Sequence, residues 1–200
     1  MFMGGVVIVS GVPGVGKSTV LNKAIDMLAS EGINVGIVNY GTIMLEEALD
    51  KKLVSHRDEM RKLKVVDQLR LQKLAALKIR ELAGDYDILI VDTHLFIFTP
   101  RGRWPGLSVN NLSELDVKQV IVVEASPEEI AERRLSDKTR IRERTDIAAI
   151  KEDLEYNRFL AAALSIQTSS PAIFIANHDN MVDEAAKEIY MVLRKLVDEL

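Results

Sequence analysis

Val6-Val7-Ile8-Val9-Ser10-Gly11-Val12-Pro13-Gly14-Val15-Gly16-Lys17-Ser18 decides the fold. A run of branched apolar residues leads directly into an unbroken G-x-x-x-x-G-K-[ST], and Val20, Leu21, Ala24, Ile25 and Leu28 follow at helical spacing. That order reads as a buried strand, a glycine-rich loop and an amphipathic helix. The residue types carry chemistry. Glycines let the backbone curl until successive N–H groups face one concavity, where they bind phosphate oxygens. The helix that follows adds the positive end of its dipole. Lys17 supplies a point charge for the β- and γ-phosphates, and the Ser18 hydroxyl is placed to ligate Mg²⁺. A dinucleotide reading of Gly14-x-Gly16 is weaker, because the third glycine is missing and the second strand ends in Asn39-Tyr40, not an acid.

The rest of the chain repeats the alternation. Val35-Gly36-Ile37-Val38, Ile88-Leu89-Ile90-Val91, Val120-Ile121-Val122-Val123 and Ala172-Ile173-Phe174-Ile175 are continuous apolar runs, which suits strands of a parallel sheet buried on both faces. Between them lie amphipathic segments such as Leu71, Leu74, Ala75, Ile79 and Leu82, and a last one from Val182 to Leu200. Ser126-Pro127-Glu128-Glu129 is a capping box with proline at the first helical position, so a helix starts there. The expected fold is α/β, a three-layer sandwich around a five-stranded parallel sheet, with residues 1–200 as a single domain. Composition agrees: 200 residues, 48% hydrophobic and 28% charged, describe an ordinary globular chain. Its 26 Lys and Arg against 30 Asp and Glu leave a net charge of −4, which argues against a dedicated nucleic-acid binder. Without cysteine there are no disulfides, zinc ribbons or thiol nucleophiles. Phe2 to Val9 has no positive residue before it and is too short to span a bilayer, so a cytoplasmic protein with no membrane association is expected.

Ile88-Leu89-Ile90-Val91-Asp92 complements the loop: an apolar strand ending in a carboxylate that would hold Mg²⁺ opposite Ser18, directly or through water. As an alternative, Asp92 simply caps the next turn. A GTPase reading fails, because the loop after the fifth strand is Asn177-His178-Asp179-Asn180 with no guanine-reading N-K-x-D. Two segments break the layered pattern. Residues 42–82 read as entirely helical and exceed what one crossover needs, which predicts a helical insertion over about 40–83. Residues 136–146 read as a short arginine-rich lid. In the insertion, Arg57 and Arg61 stand four apart, hence on one helical face, where they could clamp a monophosphate or pair with Asp58 and Glu59 as a solvated surface. In and before the lid, Arg133, Arg134, Lys138, Arg140, Arg142 and Arg144 face only Asp137 and Glu143, which suits a phosphate-covering lid or an RNA contact. Arg158 falls on or beside the apolar face set by Ile150, Leu154 and Ala161; it would reach a phosphate or make a boundary salt bridge.

Taken together these residues resemble archaeal-type adenylate kinases, which are P-loop nucleoside monophosphate kinases. The resemblance rests on Gly11-Val12-Pro13-Gly14-Val15-Gly16-Lys17-Ser18-Thr19, Val38-Asn39-Tyr40-Gly41-Thr42, Arg57-Asp58-Glu59-Met60-Arg61, Val91-Asp92-Thr93-His94, Thr99-Pro100-x-Gly102-x-x-Pro105-Gly106-Leu107, Asp137-x-Thr139-Arg140-x-Arg142 and Asn157-Arg158. It implies reversible phosphoryl transfer from MgATP to AMP giving two ADP, in a cytoplasmic enzyme, often a homotrimer, with sheet order 2-3-1-4-5 and no zinc. Position by position it implies that residues 11–19 bind ATP, and that Ser18 and Asp92 hold the metal. Thr42, Arg57 and Arg61 would hold the AMP phosphate, with Thr93 and the Gly106 loop bordering AMP. Lys17, Arg133, Arg140, Arg142 and Arg158 would be the catalytic cations. The chain departs from the pattern at Ser108, where such proteins tend to carry proline. On the residues alone, a kinase for another nucleoside monophosphate and an ATP-controlled module that binds RNA or protein both stay open.

Overall fold

The computed structural model describes residues 4–99, 101–137 and 145–200. The lid cations Lys138, Arg140, Arg142 and Arg144, along with Pro100, lie outside the described residues. The described residues form seven strands and seven α-helices: β1 (Gly5–Ser10), α1 (Lys17–Ser30), β2 (Val35–Asn39), α2 (Tyr40–Asp50), α3 (Val65–Ala83), β3 (Ile88–Asp92), β4 (Phe96–Thr99), β5 (Gly102–Pro105), α4 (Val109–Leu115), β6 (Val117–Glu124), α5 (Pro127–Ser136), α6 (Ile147–Thr168), β7 (Ala172–Ala176) and α7 (Val182–Glu199). Five strands make one parallel sheet in the order β2-β3-β1-β6-β7. Counting its strands in chain order, this is 2-3-1-4-5, as the resemblance implies.

The continuous apolar runs are explained by burial on both faces. Val7, Val9, Ile88, Ile90, Ile121 and Val123 pack under α1, α5 and α7, whereas Val6, Ile8, Leu89, Val91, Val120 and Val122 pack under α2, α3 and α4. The helix α6 serves both layers, with Ile150 and Leu154 in the first and Ala161 and Leu164 in the second. Edge strands are the exception to complete burial: Ile37 of β2 and Phe174 of β7 are exposed, since an edge has a neighbour on one side only. The capping box holds as expected, with Ser126 Oγ accepting from Glu129 N–H and the Glu129 carboxylate accepting from Ser126 N–H.

Two features differ from the sequence expectation. Residues 42–82 are not all helical: turns and bends separate α2 from a 3₁₀ helix at Arg57–Lys62, and α3 starts only at Val65. Leu53 N–H returns to the Ala48 carbonyl, and Ala48, Val54 and Leu71 form a small core beneath the turn. In a 3₁₀ helix residues three apart eclipse, so the four-residue spacing of Arg57 and Arg61 does not put them on one face. The second feature is an antiparallel hairpin, β4 with β5, between β3 and α4. Its strands are four residues each, too short for a periodicity to register.

Candidate active site

The phosphate loop sits where the sequence places it, between β1 and α1 at the carboxyl end of the sheet. Gly16 takes the left-handed conformation, φ 79° and ψ 18°, and a Cβ there would lie 2.5 Å from Asn177 Nδ2. Only glycine fits on both counts. The loop carbonyls are tied down from outside. His94 Nδ1 meets the Gly11 carbonyl at 3.0 Å, Arg134 Nε donates to Pro13 at 2.8 Å, and Asn177 Nδ2 donates to Val15 at 2.7 Å. With carbonyls fixed outward, the N–H groups of Gly14, Gly16, Lys17 and Ser18 make no hydrogen bond among the described residues. That is the donor array an oxyanion needs.

Lys17 is 8% exposed. Its ammonium donates to the Thr93 carbonyl at 3.2 Å and is ion-paired with Asp92. Burial pulls the Lys17 ammonium down to about 8, and the Asp92 carboxylate opposite it favours the charged form. The other Asp92 oxygen accepts from Asn39 Nδ2 at 3.2 Å. Asp92 therefore does not cap the following turn; it faces the loop across the β1–β3 junction, where Val9 and Asp92 are register partners. The Ser18 hydroxyl is exposed and has no hydrogen-bond partner among the described residues. A hydroxyl and a carboxylate, both oxygen donors, fit Mg²⁺, which takes one or two protein ligands and completes its octahedron with water and phosphate. Among the described residues no group of three or more His, Cys, Asp or Glu forms a closed cage.

Asn39 also links this centre to the insertion. Its Oδ1 caps α2, accepting from Thr42 N–H and Thr42 Oγ at 3.0 and 3.1 Å. Arg57 Nη1 donates to Thr42 Oγ at 3.4 Å, and its guanidinium lies against Gly41. Arg57 and Arg61 are exposed and make no ion pair with Asp58 or Glu59; Glu59 instead accepts from Ser55 N–H. Thr42 and Arg57 are thus brought together, and Arg61 lies exposed on the 3₁₀ turn. Thr93 is buried, its carbonyl accepting from Lys17 and its hydroxyl bonded to the His94 carbonyl. Gly106 closes tightly on the same strand end: a Cβ there would be 1.9 Å from the His94 carbonyl.

Arg158 and Arg133 are placed otherwise than the sequence suggests. The Arg158 side chain is 60% exposed, not buried, and forms a bidentate pair with Glu124 at 2.7 and 2.6 Å. Of its two sequence readings, the boundary salt bridge is the one observed. Arg133 is ion-paired with Asp179, donates to the Asn177 carbonyl at 3.0 Å, and reaches the Val15 carbonyl at 3.4 Å. Both guanidinium groups are engaged by carboxylates and brace the loop's surroundings. His94, Arg134 and Asn177 are the contributors that sequence reasoning missed. Each reaches the loop from an element distant in sequence, so no local pattern marks it.

A loop of free N–H donors, a buried lysine and a strand-end carboxylate on a sheet of this order define a P-loop nucleotide-binding protein. A family profile described as "AAA domain" matches residues 10–151. A shikimate kinase from Bacteroides thetaiotaomicron shares the fold at a TM-score of 0.58 and 11% identity, covering 95% of this chain and 98% of that one. Sequence relatives are more specific. An adenylate kinase of Methanocaldococcus jannaschii is 45% identical over 94% of this chain and 98% of its own length. One from Methanopyrus kandleri is 41% identical over 97% of this chain and 100% of its own length. The chain belongs to the archaeal adenylate kinase family.

Proposed function

We propose that the chain catalyses reversible transfer of the γ-phosphoryl group of MgATP to AMP, yielding two ADP. The observation that carries this reading is the convergence at the carboxyl ends of β1 and β3, where the N–H-lined loop and Lys17 face Asp92. Asn39 joins Asp92 to Thr42 and Arg57. Phosphoryl transfer asks little covalent work of a protein; it needs positioning, charge neutralisation and exclusion of water. Residues 11–19 hold the triphosphate by backbone N–H groups, and Lys17 meets its β- and γ-oxygens. Ser18 and Asp92 would hold Mg²⁺, which when bound supplies charge neutralisation between the phosphates. On the acceptor side, Thr42, Arg57 and Arg61 would hold the AMP phosphate, with Gly106 bordering AMP. Arg140 and Arg142 are assigned by sequence to close over ATP. Arg133 and Arg158 stand by the loop and the end of β6, paired with Asp179 and Glu124, and by the resemblance would serve with Arg140 and Arg142 as catalytic cations.

A cytoplasmic setting and a homotrimer belong to the same proposal. Among the described residues no helix is long and apolar enough to cross a membrane. Phe159 and Ile166, seven apart on α6 and 71% and 79% exposed, offer an apolar face for subunit contact. Sedimentation of the purified chain checks the trimer, and a monomer overturns it. The functional test is a coupled assay with MgATP and, in turn, AMP, CMP, UMP and GMP. AMP should be strongly preferred, and Lys17→Ala should lower turnover by roughly 10²-fold or more. Transfer to none of the four overturns the kinase reading; preference for another base overturns only the acceptor.

A further inference from the structure

Gln72 of α3 is 3% exposed, and its carboxamide is tied on one side only. Nε2 donates to the carbonyls of Pro105 at 3.1 Å and Gly106 at 3.3 Å. Two carbonyl acceptors require the nitrogen there, so the orientation of the amide is determined by its partners. The remaining atom, Oε1, has no hydrogen-bond partner among the described residues, yet it is not sealed from solvent. An amide held rigidly by two bonds therefore presents a single unused acceptor. Its position is tied to both walls of the acceptor side. The Gln72 carbonyl accepts from Tyr40 Oη at 2.7 Å, and Tyr40 opens the helix that carries Thr42, on which Arg57 rests. The Nε2 bonds fasten the other wall, the Pro105–Gly106 turn.

We propose that Gln72 is a specificity-determining residue for the acceptor base, its Oε1 accepting a hydrogen bond from an exocyclic amine. This rests on the reading of the site as a nucleoside monophosphate kinase and settles which bases it admits. Both amide hydrogens are committed to protein carbonyls, so the group cannot turn to donate. It matches the 6-amino group of adenine, and it meets a carbonyl oxygen at that position of a purine with two acceptors facing each other. Selection against guanine and hypoxanthine thus comes from repulsion as well as from a lost bond.

The test uses purine riboside 5′-monophosphate, which is AMP without the 6-amino group. With MgATP, the unaltered chain should prefer AMP by roughly tenfold in kcat/KM, chiefly through KM. In Gln72→Met, of similar length but without the acceptor, AMP should fall to the level of the deaminated analogue, while KM for ATP stays put. Equal use of the two monophosphates by the unaltered chain would overturn the proposal without needing the variant. So would a proportionate loss for both in Gln72→Met, which would make Gln72 a support for the Gly106 turn and nothing more. Transfer to neither monophosphate by the unaltered chain would overturn the kinase reading, and the proposal with it.

Discussion

Replacing Gly16 by alanine tests whether the loop is held from outside as described. Two costs arise. The residue sits at φ 79°, a left-handed conformation that costs a residue with a Cβ about 1 kcal/mol, the low end of its range. The new methyl would also stand 2.5 Å from Asn177 Nδ2. That amide is 2% exposed and bonded to the Val15 carbonyl at 2.7 Å, so pushing it aside breaks a buried hydrogen bond, about 1–3 kcal/mol. Gly16→Ala should therefore destabilise the chain by about 2–4 kcal/mol, read by urea unfolding as a lower midpoint at unchanged slope. The mechanism makes a second, sharper demand. In Asn177→Ala the obstructing amide is gone, so adding Gly16→Ala should cost only the backbone term. The double variant should then fall short of the additive sum by about 1–3 kcal/mol, the hydrogen-bond part alone. A Gly16→Ala protein within about 0.5 kcal/mol of the unaltered one, or strict additivity with Asn177→Ala, would refute the brace.

Three further outcomes follow from the site and its supports. Burial pulls the Lys17 ammonium down to about 8, so kcat/KM for ATP, which reports the free enzyme, should fall above that pH, whereas kcat holds further because bound phosphates favour the ammonium; a kcat/KM profile flat well past pH 8 would contradict it. Burial pushes the Glu129 carboxyl up, but hydrogen bonds from His178, Asp179 N–H and Ser126 outweigh it and hold the group down at about 2. Its contribution to stability is therefore present above its ordinary value of 4.5 and lost as pH falls toward 2, and Glu129→Gln should flatten that acid limb of the stability curve. Arg103 of the hairpin stacks on Phe96, Phe98 and Tyr156 and pairs with the buried Asp153 of α6 at 3.0 Å; Arg103→Leu should cost about 3 kcal/mol in thermal or urea unfolding, the low end for breaking such a pair, and a neutral result would mean the hairpin is held by its aromatic contacts alone.

What the sequence made legible was whatever is written in consecutive residues. The loop, its strand and its helix could be read together because β1 and α1 are contiguous with it, and Asp92 because it terminates an apolar run. Burial on both faces made the strands read as unbroken apolar stretches, which is why the parallel sheet was recoverable. The hairpin was not, since its register is short and its fastening, Arg103 to Asp153, spans 50 positions. Arg57 and Arg61 misled in a specific way: a four-residue spacing means one face only in an α-helix, and the turn they occupy is 3₁₀. The clamps on the loop carbonyls were invisible for a different reason. His94, Arg134 and Asn177 reach the loop from the ends of β3, α5 and β7, across separations as large as 162 residues, and only the folded sheet brings those ends to one edge.

The loop, Lys17, Asp92 and the acceptor side together determine where the γ-phosphoryl group goes. The direct measurement is its fate when the purified chain is given MgATP labelled at the γ-phosphorus together with AMP. The label should appear in the β-position of ADP, with two ADP formed for each AMP consumed, and Lys17→Ala should abolish most of that transfer. Label released as inorganic phosphate, or retained in ATP whether or not AMP is present, would contradict the kinase reading.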